Sequence, residues 1–281
     1  MLFLEGDIMH IQHVYAVYFS PTGNTKRLVC ACAAEAARLF QVPCRALSLD
    51  LPAEREAVRT FSAGDLVIVG APTYAGKLPN KILPTYQEKL RSHGALAIAI
   101  VTYGNRSFDN SLAELCSILS TNGFRTAAAG AFVGTHAFSD ALAPGRPDEH
   151  DMALLRQMTD GAVAKIRRTD GRVEAVVVDG DAKAPYYIPK GLDGQPAKFL
   201  KAKPKTDKEK CISCGLCARQ CPMGSIDAED TSQVTGICIK CQRCVRNCPK
   251  GAKYFDDPAF LSHVKMLERD YTGRAENKIF L

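Results

Sequence analysis

The chain has 281 residues, 46% of them hydrophobic, which suffices for a buried core and suggests about two domains. The formal net charge is +6, and no apolar run reaches the ~18 residues that a membrane-spanning helix needs. These values argue against an integral membrane protein. Residues 1–9 are predicted to be an N-terminal extension, with Met9 as an alternative start.

Short apolar runs alternate with amphipathic segments in the first half of the chain. Continuous apolar strands that alternate with helices indicate a parallel sheet covered on both faces. The predicted fold class of residues 10–168 is therefore α/β, a doubly wound five-stranded parallel sheet with its ligand at the carboxyl ends of the strands. The strands are predicted at 14–19, 44–49, 65–70, 95–101 and 127–133, and the helices at 24–41, 81–91, 108–122 and 148–168.

The loop after the first strand is rich in short polar side chains and leads into a helix. Main-chain N–H groups, hydroxyls and the helix dipole together favour a bound anion. No lysine lies inside the loop and the spacing is not that of a Walker A motif, so a monophosphate fits better than a triphosphate. An ordinary N-capping loop is the alternative. The candidate residues are Ser20, Thr22, Gly23, Asn24 and Thr25.

The loops after the third and fourth strands each contain a tyrosine beside a glycine. Two aromatic rings can sandwich a planar ligand, and glycines let main-chain groups approach the polar edge of that ligand. These loops are predicted to hold a planar ring next to the anion. The candidates are Pro72, Thr73, Tyr74 and Gly76 in one loop, and Tyr103, Gly104 and Asn105 in the other.

Residues 169–207 are predicted to be a linker, with a strand at 172–179 followed by a stretch rich in glycine, proline and lysine. Residues 208–255 form a second, small α+β domain in this prediction. Residues 256–281 are predicted to be a C-terminal tail whose amphipathic helix, at 258–271, packs back onto one of the domains.

Eight of the twelve cysteines follow the pattern C-x2-C-x2-C-x3-C-P, written twice with an offset of 27 residues. This is the ligand pattern of two [4Fe–4S] clusters, in which the fourth cysteine of each run ligates the other cluster. The first cluster is assigned to Cys211, Cys214, Cys217 and Cys248, and the second to Cys238, Cys241, Cys244 and Cys221.

Two alternatives to the clusters fit the cysteine pattern less well. Structural zinc sites use two separated C-x2-C pairs, which this spacing does not match economically. A disulfide framework belongs to exported proteins, to which nothing in the sequence points. Cysteines in this pattern indicate the reducing cytoplasm.

Residues 10–168 resemble flavodoxin, the FMN-binding electron carrier, and residues 208–255 resemble the two-cluster bacterial ferredoxins. The order of the two parts is similar to flavodoxin–ferredoxin fusion proteins, which are common in anaerobic bacteria. The resemblance implies that the loop of residues 20–25 holds the phosphate of FMN and that the two tyrosine-containing loops contact its ring.

One departure from flavodoxins is charge. Flavodoxins are typically acidic, whereas residues 10–168 carry 17 Lys and Arg against 13 Asp and Glu. Lys77 and Arg106 lie in the two predicted ring loops and are expected to stabilise reduced, anionic flavin.

The leading hypothesis is a soluble electron-transfer protein that passes electrons between the two clusters and FMN. The alternative is an enzyme, an FMN-dependent reductase fed through its own clusters, although no G-x-G-x-x-G motif indicates a Rossmann-type site for NAD(P)H. A third hypothesis, ranked below these, is a redox-responsive binding module with a lysine-rich docking face. The expected partners are redox proteins, not nucleic acid.

Overall fold

The computed structural model describes residues 10–281, and the predicted extension at residues 1–9 lies outside the described residues. The strands are β1 (His13–Tyr18), β2 (Cys44–Ser48), β3 (Arg59–Ser62), β4 (Asp65–Pro72), β5 (Leu90–His93), β6 (Leu96–Tyr103), β7 (Arg125–Val133), β8 (Lys205–Thr206), β9 (Lys253–Tyr254) and β10 (Lys278–Phe280). The α-helices are α1 (Asn24–Phe40), α2 (Leu83–Lys89), α3 (Ser111–Thr121), α4 (Glu149–Arg168), α5 (Leu216–Arg219), α6 (Arg243–Arg246) and α7 (Pro258–Asp270), and a 3₁₀ helix spans Pro52–Arg55.

The main sheet has the order β10-β7-β6-β4-β1-β2. Strands β2, β1, β4, β6 and β7 are mutually parallel, and they correspond to the five predicted strands. Their order, counted along the chain as 2-1-3-4-5, is that of the flavodoxin-like doubly wound sheet. The predicted fold class is therefore confirmed.

Hydrophobic side chains on the two faces of this sheet form two cores. Helices α1 and α4 cover one face, where Leu28 and Leu155 are fully buried or nearly so. Helices α2 and α3 cover the other face, where Tyr86 and Leu112 are fully buried. Every residue of β6 is buried, as expected for a central parallel strand that has helices on both sides.

The predicted strand at 172–179 is wrong. This segment has no strand conformation, although Val176 donates a main-chain hydrogen bond to the carbonyl of Thr126 at 2.9 Å. Its valine side chains still pack against the cores on the two faces of the sheet. Strand β10 pairs antiparallel with residues 129–131 of β7 and forms the edge of the sheet. Residues 278–280 therefore form this edge strand, and residues 172–179 do not.

The cysteine-containing region repeats its backbone as well as its sequence. Helices α5 and α6 are related by the same offset of 27 residues and are both four residues long. Gly224 and Gly251 have φ values of 58° and 59°, in the left-handed region where glycine carries no steric penalty. Strands β8 and β9 pair antiparallel and join the entry of this region to its exit.

The C-terminal tail packs back onto the first domain, as predicted. Helix α7 begins at the predicted residue, where Asp257 caps it by accepting a hydrogen bond from the N–H of Phe260 at 2.9 Å. Beyond α7, the chain crosses the carboxyl end of the sheet and finishes as β10. Within residues 10–281, no helix is both long and apolar enough to cross a membrane.

Candidate cofactor sites

The structure brings the eight predicted cysteine ligands together in two groups. One cavity, the first cavity, is lined by Cys211, Cys214, Cys217 and Cys248. Another, the second cavity, is lined by Cys221, Cys238, Cys241 and Cys244. Each cavity thus holds three cysteines from one run and the fourth from the other run, which is the grouping expected from the sequence.

In the part of the chain that the structure describes, no group of three or more His, Cys, Asp or Glu side chains is arranged to hold a single metal ion. A four-iron cube binds one thiolate at each of its four iron corners. The grouping of the cysteines into two sets of four is the one that two such clusters require.

Hydrogen-bond donors face the cysteines. The N–H groups of Ser225 and Ala252 donate to the sulfurs of Cys221 and Cys248 at 3.4 and 3.2 Å, each four residues after its cysteine. Such N–H···S bonds are one of the factors that set cluster potentials.

Buried donors without a protein acceptor also lie beside the cysteines. Nε2 of Gln220 and Nε of Arg243 are buried, and neither has an acceptor within residues 10–281. Both residues adjoin a cysteine of the second cavity, so cluster sulfur is an acceptor of suitable chemistry for them.

Burial raises the pKa of Cys241 and also that of Cys244, the latter to about 12, and metal binding would remove the proton from each.

The 20–25 loop follows β1 and includes Asn24 and Thr25, the first two residues of α1. Gly23 has a φ of 97°, and a side chain there would meet no atom within 4 Å. Within residues 10–281, the N–H groups of Thr22, Asn24 and Thr25 have no protein acceptor. Three free donors at the start of a 17-residue helix suit the phosphate of a flavin mononucleotide.

Side-chain hydrogen bonds fix the shape of this loop. The hydroxyl of Ser20 accepts a bond from the N–H of Lys26 at 2.9 Å, and Asn24 donates to the carbonyl of Thr135 at 3.0 Å. The hydroxyls of Thr25 and Thr102 are 2.7 Å apart, so the loop is tied to the end of β6.

The 72–77 loop follows β4 and lies next to the 20–25 loop, because β4 and β1 are neighbours in the sheet. Thr73 donates its N–H to Thr102 at 2.7 Å, and Tyr74 and Lys77 exchange main-chain hydrogen bonds across a tight turn. Gly76 has a φ of 78°, and a Cβ there would lie 2.3 Å from the carboxylate of Asp109. Glycine is therefore required where this loop meets the segment after β6.

Tyr103 and Asn105, at the end of β6, contact the C-terminal tail. Tyr103 is 6% exposed and packs against Phe108, with 5.6 Å between the ring centroids. The amide nitrogen of Asn105 donates to the carbonyls of Tyr271 and Gly273. Gly104 packs against His136, whose ring would lie 2.1 Å from a Cβ at that position. Flavin contacts by residues 103–105 stay a prediction.

Lys77 and Arg106 both have carboxylate partners, and the expectation that they stabilise reduced, anionic flavin stays a prediction. Lys77 is buried, forms a 3.0 Å ion pair with Glu114 and donates to the carbonyls of Ala182 and Ala184. Arg106 pairs with Asp109 and stacks on Tyr187, its guanidinium carbon 3.9 Å from the ring centroid. The linker supplies Ala182, Ala184 and Tyr187, and no local sequence pattern reveals these contacts because they join distant parts of the chain.

The second cavity adjoins the first domain. Met223 and Ile239 line this cavity and also pack against the core on the α2–α3 face of the sheet. Burial raises the pKa of Tyr74 well above its usual value, and the nearby Cys241 and Cys238 raise it further.

Three arginines also join the second cavity to the first domain. Arg55 donates to the carbonyl of Pro222 at 2.5 Å, and Arg243 pairs with Asp50 at 2.9 Å. Arg246 donates to the carbonyls of His136 and Ala137 at 2.7 and 2.8 Å. Sequence reasoning did not single out Asp50, because its role depends on the contact between the domains.

Comparisons with known proteins agree with this division of the chain. Residues 204–227 and 235–251 each match a family model described as a 4Fe–4S binding domain. A comparison with curated proteins found no match.

Among solved structures, similar ones include a flavodoxin from Streptococcus pneumoniae TIGR4, with 19% identity, coverage of 54% of this chain and 99% of that chain, and a TM-score of 0.39. A short-chain flavodoxin associated with a bacterial microcompartment has 19% identity, coverage of 56% and 98%, and a TM-score of 0.39. An NADH:FMN oxidoreductase in its apo form has 18% identity, coverage of 54% and 89%, and a TM-score of 0.40. The strand order and the two matched segments together show a flavodoxin-like domain followed by 4Fe–4S ferredoxin-type segments, an arrangement consistent with a flavodoxin–ferredoxin fusion protein.

Proposed function

We propose that this protein is an electron carrier that passes electrons between two [4Fe–4S] clusters and FMN bound in the same chain. The observation that carries the proposal is the position of the second cavity, whose lining residues Met223 and Ile239 pack against the flavodoxin-like core. Electron transfer needs donor and acceptor close together, and this packing supports a short internal path.

The proposed order is FMN, then the second cluster, then the first cluster. Arg55 and Arg243 bond the two cysteine segments of the second cavity to the first domain. The first cavity has Ile212, which is 58% exposed, and the exposed Cys214 on its rim. The first cluster would therefore exchange electrons with a partner protein, and the second would exchange them with the flavin.

Two segments cover the loops that we assign to the flavin ring. The linker covers the 72–77 loop, where Tyr187 donates its N–H to the carbonyl of Ala75 at 2.8 Å and Tyr186 donates to Leu78 at 2.8 Å. The tail covers residues 103–105 through Glu276 and its neighbours. This covering supports exchange of electrons through the clusters over direct contact of the flavin with an external protein.

The residues present fit the two kinds of group. The thiolates of the two cavities would hold the clusters, and the N–H groups and hydroxyls of the 20–25 loop would hold the FMN phosphate. The clusters supply one-electron transfer and the flavin supplies exchange between one- and two-electron chemistry. The chain's own contribution is to hold these groups at fixed separation and to shield them from water.

Anaerobic purification followed by iron, sulfide and flavin analysis tests the cofactors. Two four-iron clusters predict about eight irons per chain together with one flavin. Two zinc ions and no flavin would refute the proposal.

A substitution in the 20–25 loop tests the phosphate site. Thr22→Val removes a hydroxyl at the loop, and loss of one hydrogen bond to a charged group corresponds to roughly tenfold weaker binding. Flavin fluorescence should show this loss with FMN but not with riboflavin, which lacks the phosphate. Equal loss for both flavins would place the phosphate elsewhere.

Steady-state assays test the carrier against the enzyme. We expect rapid electron exchange with a reduced ferredoxin and no sustained turnover with NAD(P)H, quinones or nitroaromatics. Sustained turnover of one such substrate would favour an FMN-dependent reductase.

A further inference from the structure

One carboxylate, that of Asp50, joins the 20–25 loop to the second cavity. Oδ1 of Asp50 accepts a hydrogen bond from the N–H of Ser20 at 2.6 Å, and Oδ2 accepts one from Nη1 of Arg243 at 2.9 Å. The side chain of Asp50 is 10% exposed and that of Arg243 is 19% exposed. Ser20 opens the loop, and Arg243 stands between Cys241 and Cys244.

The main chain of Asp50 reaches the other cysteine segment of the same cavity. Its carbonyl accepts a bond from Nη1 of Arg55 at 2.8 Å, and Nη2 of that arginine donates to Pro222 at 2.5 Å. Pro222 directly follows Cys221. Both chain segments that supply cysteines to the second cavity are therefore tied to Asp50.

The charge on Asp50 matters because the loop is suited to an anion. A phosphate monoester carries about −1.5 to −2 charges at neutral pH, and a carboxylate bound to the first N–H of its loop repels it. The positive charge of Arg243 partly cancels the negative charge of the Asp50 carboxylate. Since both side chains are largely buried, solvent ions screen these charges only weakly.

The two cysteine repeats differ at this position. With the offset of 27 residues, Arg243 corresponds to Leu216, whereas Arg246 corresponds to Arg219. The arginine that pairs with Asp50 is thus present only in the second cysteine repeat.

We propose that Asp50 and Arg243 are positioning residues that couple flavin phosphate binding at the 20–25 loop to the charge of the second cluster. This proposal rests on the proposed function. If a reduced ferredoxin gave one electron to the cluster beside Arg243 and was itself oxidised, the added negative charge would leave Arg243 less able to offset the charge of Asp50. By linkage, bound phosphate would lower the equilibrium constant for reduction of that cluster. The factor would equal the one by which reduction lowers the affinity for phosphate.

A double-mutant cycle tests the coupling on the full chain with clusters in place and FMN removed. FMN affinity is measured anaerobically by flavin fluorescence for Arg243→Gln, Asp50→Asn and the double variant. We expect Arg243→Gln to weaken FMN binding about tenfold, corresponding to roughly 1.4 kcal/mol, because it leaves Asp50 without its counter-charge. In the Asp50→Asn background, the same substitution should have little effect.

Three controls sharpen the test. Arg243→Lys keeps the charge and should retain most of the affinity. Riboflavin has no phosphate, so its affinity should be the same in all variants. Arg246→Gln removes another arginine that joins the domains, whose ion pair is to Asp140, and should leave FMN affinity unchanged. Iron content and the visible spectrum of each variant verify that the clusters are intact.

The potential of the second cluster gives an independent readout. In wild-type protein, adding FMN should lower the midpoint potential of one of the two clusters, and in the double variant this shift should be absent. Unchanged FMN affinity in Arg243→Gln, or equal losses in both backgrounds, overturns the coupling while the proposed function stands. Wild-type protein that binds clusters but no FMN overturns both.

Discussion

The phenol of Tyr103 donates a hydrogen bond to the main-chain carbonyl of Glu276 at 2.5 Å. Tyr103 ends the central strand β6, and Glu276 lies in the tail just before β10. The C-terminal tail is thus fastened to the edge of the sheet where doubly wound proteins bind their ligands. The side chain of Asn105 adds three further bonds, to Tyr271, Gly273 and Ala275.

Substitution of Asn105 should loosen the tail. Asn105→Ala removes three hydrogen bonds, each worth about 1 kcal/mol, so the free energy of unfolding should fall by roughly 2–3 kcal/mol. Hydrogen exchange at residues 271–280 should accelerate. Tyr103→Phe removes a single bond to the same segment and should have about a third of this effect. Unchanged exchange in Asn105→Ala would show that β10 alone holds the tail.

Loss of Lys77 should be costly because it leaves a buried carboxylate unpaired. The side chains of Lys77 and Glu114 are 6% and 9% exposed. Breaking such a pair typically costs about 3–5 kcal/mol, so Lys77→Met should lower the thermal midpoint markedly. The double variant with Glu114→Gln should recover much of the loss, since the amide oxygen can still accept the N–H of Leu78.

The exposed pair of Arg38 and Glu35 provides the matched control. These residues lie three apart on α1, and the arginine side chain is 68% exposed. Because exposed pairs contribute about 0–1 kcal/mol, Arg38→Gln should leave the midpoint nearly unchanged. A small effect of Lys77→Met, similar to that of the control, would contradict the prediction.

The grouping of the cysteines predicts which substitutions act together. Cys248 lines the cavity of the first run, and Cys221 lines that of the second. In a variant that lacks the first cluster through Cys211→Ser and Cys214→Ser, further substitution of Cys248 should not lower the iron content. Substitution of Cys221 in that background should remove about four more irons. The reverse result would show that each run ligates its own cluster.

His136 should make stability depend on pH. Burial, with smaller contributions from His263, Arg246 and Arg106, lowers the pKa of His136 to about 3. The unfolded chain, with an ordinary pKa of about 6.5, then binds more protons between these values. The stabilisation is present above about pH 6.5 and is lost as the pH falls toward 3.

The substitution His136→Gln measures this contribution. The variant keeps an acceptor for the N–H of Phe138, which bonds to the ring nitrogen at 3.0 Å, but cannot take up a proton. The difference in thermal midpoint between wild-type and variant protein should therefore shrink from pH 7.5 to pH 5. A difference that stays constant over this range would refute the assigned pKa.

The sequence by itself determined the five parallel strands, the class of the fold and the grouping of the cysteines. Each depends on local regularity: continuous apolar runs mark central strands, and fixed spacing within a short loop limits which cysteines can reach the same cavity. The helix predicted at 258–271 from its amphipathic pattern is likewise present, as α7.

Only the tertiary structure decided what the charged and tail residues contact. Lys77 meets Glu114 and the linker, Asp50 meets Arg243 across 193 positions, and residues 278–280 take the edge of β7 in place of 172–179. None of these contacts follows a sequence period, because they join segments that are distant in the sequence and meet only in the folded chain. Long-range ion pairs and edge strands depend on the approach of whole surfaces, which local patterns do not encode.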